Sequence, residues 1–502
     1  MSEKSLIIIG AGLSGLSTGC YAQMNGYQSR IFEHHAHPGG VAACWRRGEY
    51  LIDGGIHFVM GHKPGTGLYE LYRQLGIVPG CRFVDLPGYG RFIHEASGRA
   101  VLLSDDLDQW STELKSLSPA DTRIMDEIIA GGRALQGLDM STIGMGSPPE
   151  LTGVLDQVKD LWAMRRMFRY MIGRYGKAVA DYAQDVRDPV LRTCIENLFL
   201  PQVPLYFIFM IMALIADKQL GLIEGGSSEF VQAIVERYRA LGGEVTYKAT
   251  VEEILVEDER AVGVRLADGS EHRADAVVSA ADGHSTIFKM LGGRYVDAKI
   301  EKRYATWKTF DPLFMISYGV AQEYPDLPPF ATIFLEKPLN VGGETVSGIM
   351  LRNFGYGSHF APPGKTVVQV EFETGWEYWN DLQREDRAAY DAEKERIAQE
   401  VLARLEAHHP GISSHVEVTD VATPYTTWRY TLNHRGSWGG WLMTAEAMTS
   451  SIKRTLPDLA SFYMAGQWVM PGGGVPSCLY SGRHAVQLLC RDDGKPFSTT
   501  PI

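Results

Sequence analysis

Leu6-Ile7-Ile8-Ile9 is an unbroken apolar run of strand length. A strand without polar alternation is buried on both faces, as in a parallel sheet covered by helices. The run ends at Gly10-Ala11-Gly12-Leu13-Ser14-Gly15, and residues 16–25 then carry a helical pattern that Gly26 stops. Ser29-Arg30-Ile31-Phe32-Glu33 reads as the next strand. The chain therefore opens as strand, turn, helix, turn, strand.

Beyond this unit the period of the pattern changes several times. Residues 95–220 favour helices, with runs at 121–134 and 156–185, and the stretch 203–214 is apolar on all faces. A second α/β unit follows. It has a helix over 228–241 with apolar positions at Phe230, Ile234, Val235 and Tyr238, then strands over 244–247, 251–256, 261–266 and 276–280. Ala267-Asp268-Gly269-Ser270 is a hairpin signal beside them. Residues 303–375 alternate as antiparallel strands do, 386–408 predict a long charged helix, and 461–489 return to strand, glycine-rich turn and helix. A chain of 502 residues exceeds one simple core, so two or more domains are predicted, interleaved along the sequence.

Composition narrows the function classes. Hydrophobic residues make up 45% and charged residues 22%, the balance of a soluble globular protein. The net charge of −12 repels phosphate backbones, so no nucleic-acid partner is expected. No secretory signal and no apolar run of bilayer length is visible. The six cysteines form no CxxC pair and no zinc spacing, which points to free thiols in a reducing cytoplasm. His34, His35 and His37 share a loop without a matching carboxylate set, so no metal is expected.

The turn after the first strand has the spacing of a dinucleotide cradle. Gly10 permits the tight turn, Gly12 lets the backbone approach a diphosphate, and Gly15 lets the helix pack on the sheet. Ala11, Leu13 and Ser14 complete the turn, and the helix N-terminus supplies N–H groups for phosphate. Glu33 ends the second strand where a carboxylate accepts hydrogen bonds from a ribose diol, which disfavours NADP at this site. Gly39-Gly40 and Asp53-Gly54-Gly55-Ile56-His57 offer further close backbone approach, as an extended FAD needs and NAD does not. A second glycine-rich approach lies at Ala465-Gly466-Gln467 and Pro471-Gly472-Gly473-Gly474-Val475-Pro476, just ahead of a helix that can aim its N-terminus at a flavin. FAD is the predicted cofactor. A second bound nucleotide is not expected, because Gly225-Gly226 lacks the GxGxxG spacing.

These segments carry a resemblance that covers nearly the whole chain. Residues 9–16, Glu33 with Pro38-Gly39-Gly40, and Leu51-Ile52-Asp53-Gly54-Gly55-Ile56-His57 carry its first part. Glu224-Gly225-Gly226-Ser227, Ala280-Ala281-Asp282, Thr423-Pro424, Arg429-Tyr430, Gly436-Ser437-Trp438 and the closing glycine segment carry the rest. The sequence resembles the phytoene desaturase family of flavoproteins, which takes in carotenoid isomerases and retinol saturases within the wider amine-oxidase-like FAD superfamily. The resemblance implies an α/β and α+β fold. A Rossmann-like FAD domain would be built from residues 1–90, 217–300 and 430–502. An inserted substrate domain of mixed antiparallel sheet and helices would use 91–216 and 301–429. It implies cofactor contacts at the glycines named above, at Val251, and at Gly466, Gln467, Gly474 and Val475. It also implies an apolar polyene- or isoprenoid-like substrate, met in the cytoplasm with peripheral contact to a membrane. Two positions depart from the family pattern. Val41 stands where many relatives have a basic residue. Gln467 replaces a common acid and can still hydrogen-bond the ribityl chain. Gly54-Gly55-Ile56-His57 is closer to the saturase and isomerase branch.

Three function classes follow. The first is an FAD-dependent oxidoreductase that desaturates, saturates or isomerises C–C/C=C bonds of an apolar substrate. The second is a flavin oxidase of an amine or other small polar molecule. The third is a non-catalytic lipid carrier of the GDP-dissociation-inhibitor type. His57 is the ionisable side chain placed beside the flavin, as acid or base, or simply as a residue that fixes its loop. Arg352, His359 and Tyr425 are candidates to orient a polar substrate end, with ordinary surface or strand roles the favoured reading for each. Residues 155–220 are expected to control access of an apolar substrate. Within them, Trp162 with Arg165, Arg166 and Arg169 reads either as a membrane-interface helix or as an internal helix with solvated arginines.

Overall fold

The computed structural model describes residues 4–139, 145–153, 162, 165 and 168–500. The first strand, Lys4–Ile9, is the centre of a five-stranded parallel sheet ordered Glu244–Thr246, Tyr27–Phe32, Lys4–Ile9, Ala276–Ser279, Phe462–Met464. Its unbroken apolar run has a direct cause. Leu6 and Ile8 enter one core while Ile7 and Ile9, alternating with them, enter another. The first core is covered by three helices, Leu13–Met24, Gly226–Ala240 and Val475–Asp492. The second is covered by an antiparallel sheet of Val251–Glu257, Arg260–Leu266 and Glu271–Arg273. Ile9 stands opposite both Phe32 and Ser279, so the C-terminal ends of the three middle strands form one rim.

A seven-stranded sheet forms a second body. Its order is Val416–Ala422, Leu313–Val320, Thr366–Glu373, Glu344–Asn353, Phe330–Val341, Gly88–His94, Arg99–Ser104. The alternation over 303–375 predicts its four middle strands. The two edges, a hairpin from residues 88–104 and a late strand at 416–422, lie far away in sequence. The hairpin joins through a parallel pairing of Gly88–His94 with Phe330–Val341. One face of the sheet (Phe314, Ile316, Val368, Val370) packs under the helices Trp376–Glu385 and Arg387–His408 through Trp379, Ile397 and Val401. The other face meets the first body, where a side chain at Gly319 would strike the Tyr50 ring at 2.6 Å.

Helices Leu107–Leu117, Thr122–Leu135, Pro189–Glu196 and Leu205–Ala216 make a third layer with its own core. Gly131 lets the Phe209 ring approach the facing helix; a Cβ there would lie 2.6 Å from it. The helical pattern over 156–185 falls partly outside the described residues, and within them it does not form one continuous helix. Phe168–Met171 and Val179–Ala183 are separate short helices. Extended backbone at Ile172, Lys177 and Ala178 and a positive φ of 64° at Gly173 stop helical hydrogen bonding between them. Among the described residues no helix is long and apolar enough to cross a membrane.

Candidate active site

The sheet rim carries the cradle. Gly10 turns at φ 94°, and Gly15 sits so close above it that a Cβ would come within 1.9 Å of the Gly10 carbonyl oxygen. Gly12 is extended, and a Cβ on it would meet nothing within 4 Å, which leaves open space in front of the helix. No side chain caps helix Leu13–Met24, so its first N–H groups stay available to a ligand. Glu33 is buried, with one carboxylate oxygen accepting from Ala11 N–H at 2.6 Å and the other from His35 N–H at 2.7 Å. Burial raises its pKa, and the two backbone donors oppose that rise. Gly39 N–H donates to Ala11 O at 2.9 Å and pairs beside Gly12.

The chain then runs alongside Gly54 and Gly55. Gly54 N–H donates to Ala43 O at 3.1 Å, and a Cβ on Gly55 would lie 2.7 Å from Ala42 Cα. The closing segment returns to the same place. Gly466, at φ 104°, donates its N–H to Ser481 Oγ at 2.7 Å, and a Cβ on it would lie 3.4 Å from Ser14 Oγ. Gln467 packs on Gly440, and Gly474 and Val475 begin a helix that no side chain caps. Gly40, at φ 60°, faces Gly12. Val251 is buried at the head of its strand, next to Thr250, whose Oγ1 meets His34 Nδ1 at 2.7 Å, and Ala249 N–H donates to Glu33 O at 2.8 Å. Gly10, Ala11, Gly12, Ser14, Gly15, Glu33, Gly39, Gly40 and Gly466 thus gather at one end of the parallel sheet.

Beside the cradle lies a buried polar network that the sequence does not announce. His57 Nε2 is 2.8 Å from Glu371 Oε2, and Arg352 Nη1 is 3.1 Å from Glu371 Oε1. Arg352 also donates to Gln369 Oε1 at 2.9 Å, and Gln369 Nε2 donates to Ser317 Oγ at 2.9 Å and to Asp53 O at 3.1 Å. Arg352, Glu371 and Gln369 are 2%, 1% and 0% exposed, so Arg352 has no surface role. Burial pushes the Glu371 carboxyl up, but His57 and Arg352 outweigh it and hold the carboxyl down at about 2. The Asp53 carboxylate accepts from Ser227 N–H at 2.8 Å, Ser227 Oγ at 2.7 Å and Gly55 N–H at 2.9 Å. The signal for this network is the phase of the strand: Gln369 and Glu371 alternate with Val368, Val370 and Phe372. Ser317, Gln369 and Arg352 stand opposite one another across three strands, on the face turned to the cradle.

Phe330, stacked on His57, borders the network. Phe58, Met60, Tyr206, Met210, Phe330 and Trp438 are only partly buried at the margin of the helical core. Most of the greasy helix is core, since Leu205, Ile208, Phe209 and Met212 are fully enclosed. His359 is exposed and Tyr425 half-buried.

A family model described as flavin containing amine oxidoreductase matches residues 13–490. The chain belongs to this family. It is 24% identical to a chloroplastic prolycopene isomerase of Daucus carota, over 98% of this chain and 81% of the relative. It is also 24% identical to a lycopene-forming phytoene desaturase of Pseudescherichia vulneris, over 97% and 99% of the two chains. Among solved structures it superposes on putrescine oxidase bound to putrescine, with a TM-score of 0.61, 13% identity and coverage of 97% and 99%. An oxidoreductase from Methanosarcina mazei gives a TM-score of 0.59 at 16% identity, covering 96% and 100%. These structural likenesses show the fold.

The protein is an FAD-dependent oxidoreductase of this flavoprotein family, and its cradle fits the cofactor: the opening at Gly12 is where a Cβ would stand in the way of a ligand and of nothing else. Glu33 would hold the ribose, and the two uncapped helix starts would hold the diphosphate and the flavin edge. Bound FAD supplies hydride acceptance and donation. Glu33→Ala removes the acceptor for the ribose diol and for two backbone donors. FAD affinity is expected to fall roughly tenfold or more, read as loss of the flavin absorbance band on gel filtration; full retention would remove this role from Glu33.

Proposed function

We propose that the protein desaturates, saturates or isomerises C–C/C=C bonds of an apolar, polyene- or isoprenoid-like substrate. The observation that carries this reading is the Phe330 ring stacked on His57 at the network, with Phe58 next to His57 in the chain, both partly buried apolar residues. It suits a hydrocarbon, whose burial contributes about 25 cal/mol per Å² of apolar area removed from water. The named activities of the carrot and Pseudescherichia relatives point the same way. An amine substrate would call for an unpaired carboxylate beside its cation. The buried carboxylates at the cradle are already engaged, Glu371 with Arg352 and His57, Asp53 with Ser227 and Gly55, and Glu33 with Ala11 and His35.

In this reading residues of the 155–220 region guard the substrate entrance, and the protein meets its substrate at a membrane surface on the cytoplasmic side. Trp162 and Ile172 are 67% and 64% exposed, and Arg165 lies over the Trp162 ring at 3.7 Å. Arg166 lies outside the described residues. Two measurements test the reading together. Mass spectrometry of lipids carried through purification is expected to find a polyene or isoprenoid, and flotation with anionic liposomes is expected to carry the protein upward. Peroxide release with amines and no turnover of any polyene would overturn the substrate class. Absence of flotation would overturn the membrane contact.

A further inference from the structure

We propose that Glu371 and Arg352 are positioning residues that lock His57 in one tautomer, with Nε2 protonated and Nδ1 left as the proton-exchanging atom of the reaction. This deepens the reading of C–C/C=C chemistry and rests on it.

The argument starts from the carboxylate. An ionised carboxylate only accepts hydrogen bonds. Glu371 is fully buried and held between two nitrogen donors, with Arg352 Nη1 at 3.1 Å on one oxygen and His57 Nε2 at 2.8 Å on the other. Arg352 is always charged, so the carboxylate beside it stays ionised and His57 Nε2 must carry the proton. In the neutral imidazole Nδ1 is then the atom with a free lone pair. Among the described residues it has no hydrogen-bond partner, and it is not among the sealed, unpaired polar atoms. It can therefore meet a substrate. The ring is held from the other side as well, stacked on Phe330 with 6.3 Å between centroids and 22° between planes.

The frame behind the relay is rigid. Arg352 and Glu371 sit on adjacent strands of the seven-stranded sheet, and Arg352 also donates to the carbonyls of Asp53 and Ile56 at 3.4 Å. His57 directly follows that segment. Gly54 and Gly55 in the same segment run against residues 41–43 at the cradle. The loop that brings His57 to the cofactor edge is thus tied to the sheet that faces the substrate. Phe330, stacked on the imidazole, and Phe58, next to His57 in the chain, are the partly buried apolar residues proposed to meet the hydrocarbon.

The chemical use of this geometry balances simply. When a carbon–carbon single bond becomes double, two hydrogens leave: one as the hydride that flavin chemistry removes, the other as a proton that Nδ1 takes up. The electron pair of the C–H bond broken at Nδ1 becomes the new π bond. Saturation returns the proton from Nδ1, and isomerisation gives and takes it back.

Histidine-selective ¹⁵N NMR of the FAD-loaded protein at pH 8, with His57 assigned by loss of its signal in His57→Gln, is the test. The expected wild-type result is the Nε2–H tautomer. Glu371→Gln is expected to reverse it. The amide has one acceptor oxygen, which Arg352 takes, so its NH₂ faces His57 and Nε2 becomes the acceptor. Turnover of phytoene in detergent micelles should then show kcat lowered about 100-fold in Glu371→Gln and His57→Gln with KM unchanged. An Nδ1–H tautomer in the wild type overturns the proposal even if Glu371→Gln does not fold. A reversed tautomer with kcat unchanged overturns the assignment of Nδ1. If the wild type has the expected tautomer but turns over no polyene, the relay stands and the substrate reading falls.

Discussion

Gly15→Val will hold no FAD and will unfold well below the parent protein, whereas Gly12→Ala will lose FAD yet unfold like the parent without cofactor. Only Leu13 and Ser14 lie between the two positions, yet their surroundings are opposite. A Cβ at Gly15 would lie 1.9 Å from the Gly10 carbonyl oxygen and 3.0 Å from its carbon, both backbone atoms at a turn with φ 94°. Neither can move without dragging the end of the central strand. The first helix cannot retreat either. Its far side carries the closing helix at backbone contact, where a Cβ on Gly482 would lie 2.5 Å from Ser14 O. Overpacking a core costs about 1–3 kcal/mol where side chains can adjust. Here no side chain is available, so the top of that range or more is expected. Gly12 has φ −70°, which alanine adopts freely, and a Cβ on it touches nothing. The only thing it can displace is a ligand. Thermal unfolding followed with and without added FAD separates the cases. A Gly12→Ala protein with normal flavin content would show that the opening is not the diphosphate seat.

Arg352→Met will destabilise the holoenzyme by about 3–5 kcal/mol at pH 7, and the loss will shrink as the pH approaches 4. The substitution strands a carboxylate that is 1% exposed, with only His57 left beside it. In the parent the Glu371 carboxyl lies at about 2, below the ordinary 4.5. A depressed folded value contributes stability that is complete above the ordinary pKa and disappears as the pH falls toward the folded one. That contribution is about 3 kcal/mol. Without Arg352 the burial penalty regains ground and the folded value rises, so Glu371 protonates at a milder pH and the variant is relieved earlier. Urea unfolding of parent and variant at pH 7 and pH 4 measures the difference. A gap of equal size at both values would mean that Arg352 acts through packing and not through charge.

The cradle was legible in the sequence because its requirements are local. A glycine whose Cβ would strike a carbonyl one turn back, or one that must leave room for a ligand, is fixed within one turn of chain, and Glu33 follows at strand spacing. The seven-stranded sheet was legible in its middle, where alternation marks four strands, and illegible at its edges. Nothing in Gly88–His94 says that it will pair in parallel with Phe330–Val341. The His57 relay was invisible for a related reason. Arg352 and Glu371 look like ordinary exposed strand residues until the sheet face that carries them is laid against Asp53 and Ile56. Burial across two bodies is a property of the assembly, and periodicity along one strand does not encode it. The break in helix 156–185 had a visible marker in Gly173, yet the arginine–aromatic pattern around it keeps a helical period.

The contact between the first and the last helix has a consequence for synthesis. Ser14 and Ser481 meet at the cradle although 467 positions separate them. A ribosome delivers the glycine turn long before the helix that closes over it. During that interval the turn and the strand rim lack their cover, and the apolar residues meant for the first core are exposed to solvent and to neighbouring chains. Cofactor capture is thus expected to wait until the closing helix has been made. Free flavin in the cell, by binding only the closed form, pulls the completed chain toward its native state. Yield of active protein should consequently follow flavin supply during expression more closely than it follows the amount of chain made.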